Sequence, residues 1–540
     1  MRKTETLFIS AALIAVIIVT GGAIWHACHR NGADTLNNFK YPTTQFGAYL
    51  AAQHAIYVND FDNASNFAAQ LTDTNYAIVQ TTKFLSDFLS GRMPTEVAIL
   101  EEEKNTASRL IYDAYLAQNL KWDELYKRHK KDESALASPL RIWASVATDH
   151  KKDALKFINS LPTNTSWKKF ISGQIHAETG DADAAAESFA DVSVDFMNIN
   201  DYMYLMSFYQ HNNMTDAAEK LHDEFTARPG GMFMLDYENI PDWSMFSGIQ
   251  NALAFSLVQT VSHTQIMMYS DLAILLLRFA QLVGPDFGKN SDAVNYYLGQ
   301  FFYNNTGDYE KYFAKIDKSS PFYSFAVLRI AEKNDDIKML ERTVRKNPLF
   351  VPAMNKLIAH YVQNGARRAA LRSVNMALDD EKITELGRAF FLKSRAHIYY
   401  MFGDYNNAQS DLHDASSVLP LDGEILALQA KIWAAENRNI EDAYDYAMTL
   451  VRQDPTDVMA WDTLGVVIAP REGVQPALDV LVRVSDVAVS CSSLFEHLGD
   501  LYVEIGDEKS ARDAYMRAIE LSDDGLVVVP NIEKKLRKLK

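Results

Sequence analysis

Along most of the chain, apolar side chains recur three or four positions apart, the spacing that places them on one face of a helix. Near the C-terminus, Leu498 and Tyr502 share such a face. The pair Gly506-Asp507 then marks a turn, and Ala511, Tyr515 and Ala518 resume the pattern on a second helix. Gly499 and Ala511 are small, so two helices joined by that turn can approach closely. No strands are predicted. The pattern reads as an all-α protein built of short helix-turn-helix pairs.

Two apolar stretches depart from this pattern. Leu7 to Trp25 is a run of 19 residues behind Arg2 and Lys3, interrupted by Ser10, Thr20 and Gly21-Gly22. A helix of that length spans a hydrocarbon core of about 30 Å. Gly21-Gly22-Ala23 also suits cleavage of a signal peptide. Length favours a retained anchor and the small residues favour removal, so both readings stand for residues 1–30. Arg2 and Lys3 place the N-terminus on the cytoplasmic side and the bulk of the chain beyond it. The second stretch, Leu272 to Val283, is shorter and contains Arg278. It reads as a buried core helix.

The C-terminal helix pair recurs upstream. Trp461, Leu464 and Gly465 stand 34 positions before Phe495, Leu498 and Gly499, Ala477 stands 34 before Ala511, and Ala443 stands 34 before Ala477. Tyr399, Gly403, Asp404, Ala408, Leu412 and Ala415 form the unit before these. Leu357, Tyr361, Gly365, Ala370, Val374 and Ala377 form another. Farther upstream the pattern weakens. Gly299 with Gly307-Asp308, Gly173 with Gly180-Asp181 and Phe189, and Ala52 with Asp60 and Ala64 still mark units. Residues 75–165 are helical by periodicity, without an assignable register. Gly230-Gly231 and Pro241, before a new helix at about Ser247, make 230–262 a longer inter-repeat loop or a break between two sub-arrays. The expected organisation is a signal helix at 1–30, a linker at 31–44, degenerate repeats at 45–229, the break at 230–262, degenerate repeats at 263–345, a regular array at 346–523 and a basic capping helix at 524–540. In that cap Ile532, Leu536 and Leu539 share a face.

The motif Phe495-x2-Leu498-Gly499-x2-Tyr502, with Ala511-x3-Tyr515, resembles the tetratricopeptide repeat (TPR). Residues 45–540 as a whole resemble exported bacterial envelope proteins made of such repeats. The resemblance implies an α-solenoid located at the cell envelope, held in the cytoplasmic membrane through residues 7–25 or exported to the periplasm. It implies a protein–protein interaction scaffold or adaptor whose concave groove holds a partner. A subunit of a secretion, pilus or outer-membrane assembly apparatus is the alternative. No defined activity is implied.

Composition narrows this further. The net charge of -17 disfavours nucleic acid as a partner. The cluster Lys534, Lys535, Arg537, Lys538 and Lys540 reads as cations at the end of a final helix, where the helix dipole favours them. Cys28 and Cys491 lie too far apart in sequence for a disulfide framework or zinc spacing. Cys28 follows the apolar run, but Trp25 and His26 depart from a lipidation site. The chain lacks a P-loop, a G-x-G-x-x-G, an H-E-x-x-H, an EF-hand loop and a G-x-S-x-G. No catalytic, cofactor-binding or metal residue and no small-molecule substrate are therefore expected. An enzyme hidden in 75–165 or 230–262 has no polar cluster behind it.

The repeat register also indicates which residues turn toward the groove. They are Glu496, Asp500 and Val503 in the last unit, Asp462 in the unit opening at Trp461, Lys393, His397 and Tyr400 in the unit opening at Leu392, and Asn355 and Ala359 in the unit opening at Met354. Asn355 and Lys393 suit a TPR clamp on a peptide's C-terminal carboxylate, whereas Glu496 and Asp500 repel one. Mixed charge beside Tyr400 fits an extended or helical peptide better.

Overall fold

The structure is a computed structural model. It describes residues 44–539, apart from 73–75, 96, 101–104, 238, 265–269, 306, 489–490 and 523–531. The apolar run 7–25, Cys28, most of the linker and the stretch Leu526–Val529 lie outside the described residues. Among the described residues every regular element is helical, and no helix is long and apolar enough to cross a membrane.

A short sequence code sets five of the helix pairs. One residue takes a left-handed conformation, and an aspartate directly after it caps the second helix. Gly506 has φ +79°, and the Asp507 carboxylate accepts from the Ser510 N–H at 3.1 Å. The same pairing recurs at Gly180-Asp181, Gly403-Asp404, Asn59-Asp60 and Asp335-Asp336. Each aspartate satisfies a helix N–H that would otherwise lack a partner. The glycine of the first helix serves close approach instead. A Cβ on Gly499 would lie 2.3 Å from the Tyr515 ring, and one on Gly465 would lie 2.3 Å from Leu481. Gly299 stands in the same relation to Phe313, and Gly173 to Phe189.

The chain forms two compact units, divided at 115/116. The division falls within the helix Thr106–Gln118 and inside the block 45–229 that the sequence reads as one run. In the first unit, Ala48 and Ala52 of the helix Gln45–Tyr57 pack with Ala68 of Phe61–Ala68 and with Leu71.

In the second unit, successive helix pairs stack on their neighbours. The helix Ser270–Val283 is a core helix, and Arg278 within it is buried. Its guanidinium donates to Gln281 Oε1 and to the Tyr312 hydroxyl, each at 2.7 Å. The stretch 230–262 carries the helix expected near Ser247, but the residues before it differ from a loop. It contains a 3-10 turn, Met232–Asp236, and most of a full helix, Ile249–His263. Met232, Phe233 and Met234 are buried. The Phe233 ring lies 5.4 Å from those of Phe325 and Phe350, and its carbonyl accepts from Asn347 at 3.2 Å. Thr384 donates to the Ala227 carbonyl at 3.1 Å. The reason is hydrophobic: three consecutive large apolar side chains follow the Gly-Gly pair, and burial removes them from water. The insertion joins helices that are far apart in sequence, which nearest-neighbour stacking alone does not do.

Candidate partner-binding groove

The regular array aligns the first helices of four successive pairs: Glu385–Met401, Gly423–Ala435, Val458–Glu472 and Ser492–Glu504. Ile532–Lys538 follows as the last helix. Its Ile532, Leu536 and Leu539 pack with Ala511, Tyr515 and Ala518, and Met401 reaches the same cluster from the far end of the array.

Charged residues tie these helices to one another in a chain. Lys393 Nζ lies 2.9 Å from Asp422 Oδ2 and 2.7 Å from Glu424 Oε2. Lys431 Nζ lies 2.8 Å from Asp462 Oδ2. The same carboxylate accepts from Ser493 at 3.1 Å and from His497 Nδ1 at 2.6 Å. The next link is Lys535, whose Nζ donates to Asp500 Oδ2 at 2.6 Å and also to Glu496. The Tyr515 hydroxyl donates to Asp500 Oδ1 at 2.7 Å.

Burial and pairing compete at each of these groups. Asp462 is fully buried, which by itself disfavours its charge. His497 and Lys431 more than offset that and hold its carboxyl well below the usual range. Burial disfavours protonation of His497, but Asp462 outweighs it and raises the imidazole pKa. Lys393 and Lys535 follow the same logic: burial opposes their charge, and their paired carboxylates raise their pKa values.

This arrangement gives stability a pH dependence of definite sign. The raised His497 pKa makes its contribution complete below the ordinary histidine value of about 6.5, and the contribution is lost as pH rises through the folded value. Asp462 acts oppositely: its contribution is present above the ordinary carboxylate value and is lost as pH falls through the depressed one. Melting curves should therefore show the full-length protein losing stability from about pH 6.5 upward. His497→Gln should flatten that slope, and an unchanged slope would assign the pH dependence to other groups.

Of the nine residues that the register places toward the groove, four form inter-repeat ties. Asp462 is buried rather than presented, and Lys393, Glu496 and Asp500 are paired as above. Lys393 therefore offers no unpaired ammonium to a carboxylate clamp, and Glu496 and Asp500 are both paired with Lys535. Tyr400 belongs to the same neighbourhood. It is half-buried, and burial first, then the carboxylates of Glu496, Asp462 and Asp500, raise its hydroxyl pKa. His397 is exposed beside it, with ring centroids 6.4 Å apart. Solvent reaches the His397 ring, but the surrounding protein and the Lys431 ammonium lower its pKa and keep it neutral. Asn355 is half-buried on Val351–Gln363 and joins none of these contacts. The register did not single out Lys431, His497 or Lys535. The signal available was opposite charge on successive first helices about one repeat apart, as in Lys431 and Asp462.

The groove surface left for a partner is thus the aromatic edge formed by His397, Tyr400 and Tyr405, whose ring lies 5.9 Å from that of Tyr400. Beside it lie Glu496 and Asp500, whose two carboxylates share the single ammonium of Lys535.

Residues 493–524 match the family model of the tetratricopeptide repeat. No curated protein matches the chain. Among solved structures, a tetratricopeptide repeat protein from Parabacteroides merdae aligns at 13% identity and a TM-score of 0.31, covering 53% of this chain and 97% of its own. Yeast Tom70 aligns at 10% identity and a TM-score of 0.28, covering 91% and 95%. The APC/C hetero-tetramer Cut9-Hcn1 aligns at 11% identity and a TM-score of 0.30, covering 92% and 96%. Superpositions this loose define neither a partner nor an activity.

Proposed function

From a chain whose residues 493–524 are a tetratricopeptide repeat, and whose neighbouring helix pairs share one face, we propose a protein–protein interaction scaffold. It holds an extended or helical segment of a partner against His397, Tyr400 and Tyr405. The observation that carries this reading is the contrast within the groove: its charged side chains tie repeats together, while an aromatic edge stays reachable. Aromatic anchors beside a polar surface are the usual centre of a protein interface.

The same reading places the chain at the cell envelope. It acts there as an adaptor, or as a subunit of a secretion, pilus or outer-membrane assembly apparatus. The 19-residue apolar run behind Arg2 and Lys3 supports that location.

A photo-crosslinking residue placed at 397 or 400 in the native cells, with one at the exposed Met516 as control, tests the proposal. The expected result is one recurrent partner captured at 397 and 400 and absent at 516. Equal capture at all three positions, or none, would overturn the groove. Mass spectrometry of the mature N-terminus in the same sample decides between anchor and signal peptide.

A further inference from the structure

Away from this groove, the second unit contains a cleft of about 460 Å³. Phe225 and Phe233 line one side, Tyr296, Tyr297 and Phe325 line the other, and Arg228 stands at the edge. The two tyrosines and Phe325 are half-buried, so the aromatic surface can be reached from solvent. Arg228 is the only charged side chain among the described residues lining the cleft.

The guanidinium is held in place rather than free to swing. It stacks over the Phe225 ring at 4.4 Å, its Nε donates to the Phe225 carbonyl at 3.5 Å, and its Nη1 donates to the Val194 carbonyl. Asp195 is its charged neighbour, at 3.9 Å, and that side chain is 86% exposed, so solvent weakens the pair. The Nη2 group carries no hydrogen bond among the described residues. A fixed cation with unused donors beside an aromatic wall selects for a carboxylate attached to an apolar or aromatic group.

We propose that this cleft is a second docking site, which takes a partner segment bearing an aromatic side chain next to an aspartate or glutamate. The site rests on the scaffold reading given above. The aromatic side chain packs against the reachable rings of Tyr297 and Phe325, and its neighbouring carboxylate meets the Arg228 Nη2 group. A free small molecule fits less well. Sites of that kind bury most of the ligand and converge several polar groups on it, and this cleft is open and offers one cation.

The probes are acetyl-Trp-Glu-amide and acetyl-Trp-Gln-amide, titrated against the full-length chain by ligand-observed NMR. The Glu probe should bind about fivefold more tightly, as expected of one partly exposed charge-assisted contact. Arg228→Gln, which keeps a donor near the Val194 carbonyl, should make the two probes equal without weakening the Gln probe. Phe325→Ala should weaken both. In the unaltered protein the preference should shrink as salt is raised, a readout that needs no variant to fold. No binding of the Glu probe would overturn the proposal, as would a preference that survives Arg228→Gln or ignores salt. Crosslinking at 397 and 400 reports on the separate groove, so failure here and failure of the scaffold reading are distinguishable.

Discussion

Replacing Asp462 by alanine is expected to destabilise the C-terminal array by about 3–5 kcal/mol, the range for breaking a buried ion pair from one side. Asp462 is fully buried, and Lys431 is 8% exposed. Without the carboxylate, the Lys431 ammonium loses its partner at 2.8 Å and His497 loses its partner at 2.6 Å. These two side chains come from different helix pairs, Gly423–Ala435 and Ser492–Glu504. The damage should therefore spread across three consecutive units rather than stay local. Hydrogen exchange followed by mass spectrometry checks this, because it resolves stability along an array that need not unfold in one step. Faster exchange should appear in 423–435 and 492–504 as well as in 458–472. Adding Lys431→Met to the variant should restore part of the loss, since the second change removes the stranded charge. A loss below about 1 kcal/mol, typical of exposed pairs, would show that solvent reaches the site and that the tie is weak.

The same residue shows how far the sequence could be read. The 34-residue spacing put Asp462 on the first helix of its pair and turned it toward the groove, whereas the side chain is buried. It could not tell whether that face position meets solvent or the next repeat, because the deciding partners, Lys431 and His497, lie 31 and 35 residues away. Where glycine filled both special positions, as at Gly499 and Gly506, the unit was legible at once. In 75–165 the turn was hidden. Leu120 and Asp149 take the left-handed conformation there, with φ +58° and +61°, in place of glycine. They separate Thr106–Gln118 from Trp122–His129 and Ser138–Ala147 from Lys151–Ser160, which supplies the register that periodicity alone left open. A leucine in that region of φ is uncommon, so no local rule would have placed a turn at it. The aromatic cleft was illegible for a different reason: Phe225, Tyr297 and Phe325 are each ordinary apolar positions of their own helices, and only the fold assembles them.

Phe233 carries the second large expectation. Gly230-Gly231 and Pro241 made its surroundings look like a loop, yet its side chain is 1% exposed. Truncating a fully buried phenylalanine costs about 3–5 kcal/mol, from lost burial and the cavity left behind. For Phe233→Ala the location of the effect is as informative as its size. The ring touches Phe325 and Phe350, its backbone accepts from Asn347, and adjacent Met232 lies against Gly387. In a repeat array with only nearest-neighbour contacts, a defect at 233 would loosen the adjoining pair and leave later repeats unchanged. Here exchange should accelerate in 215–227 and also in 321–333 and 385–401, while the last pair, 492–522, stays protected. Phe46→Ala, at a phenylalanine that is 69% exposed, serves as the control and should change nothing measurable. An effect of Phe233→Ala confined to 228–237 would mean that the buried insertion merely rests on its neighbours. An effect reaching 385–401 would mean that it holds distant repeats of the second unit together.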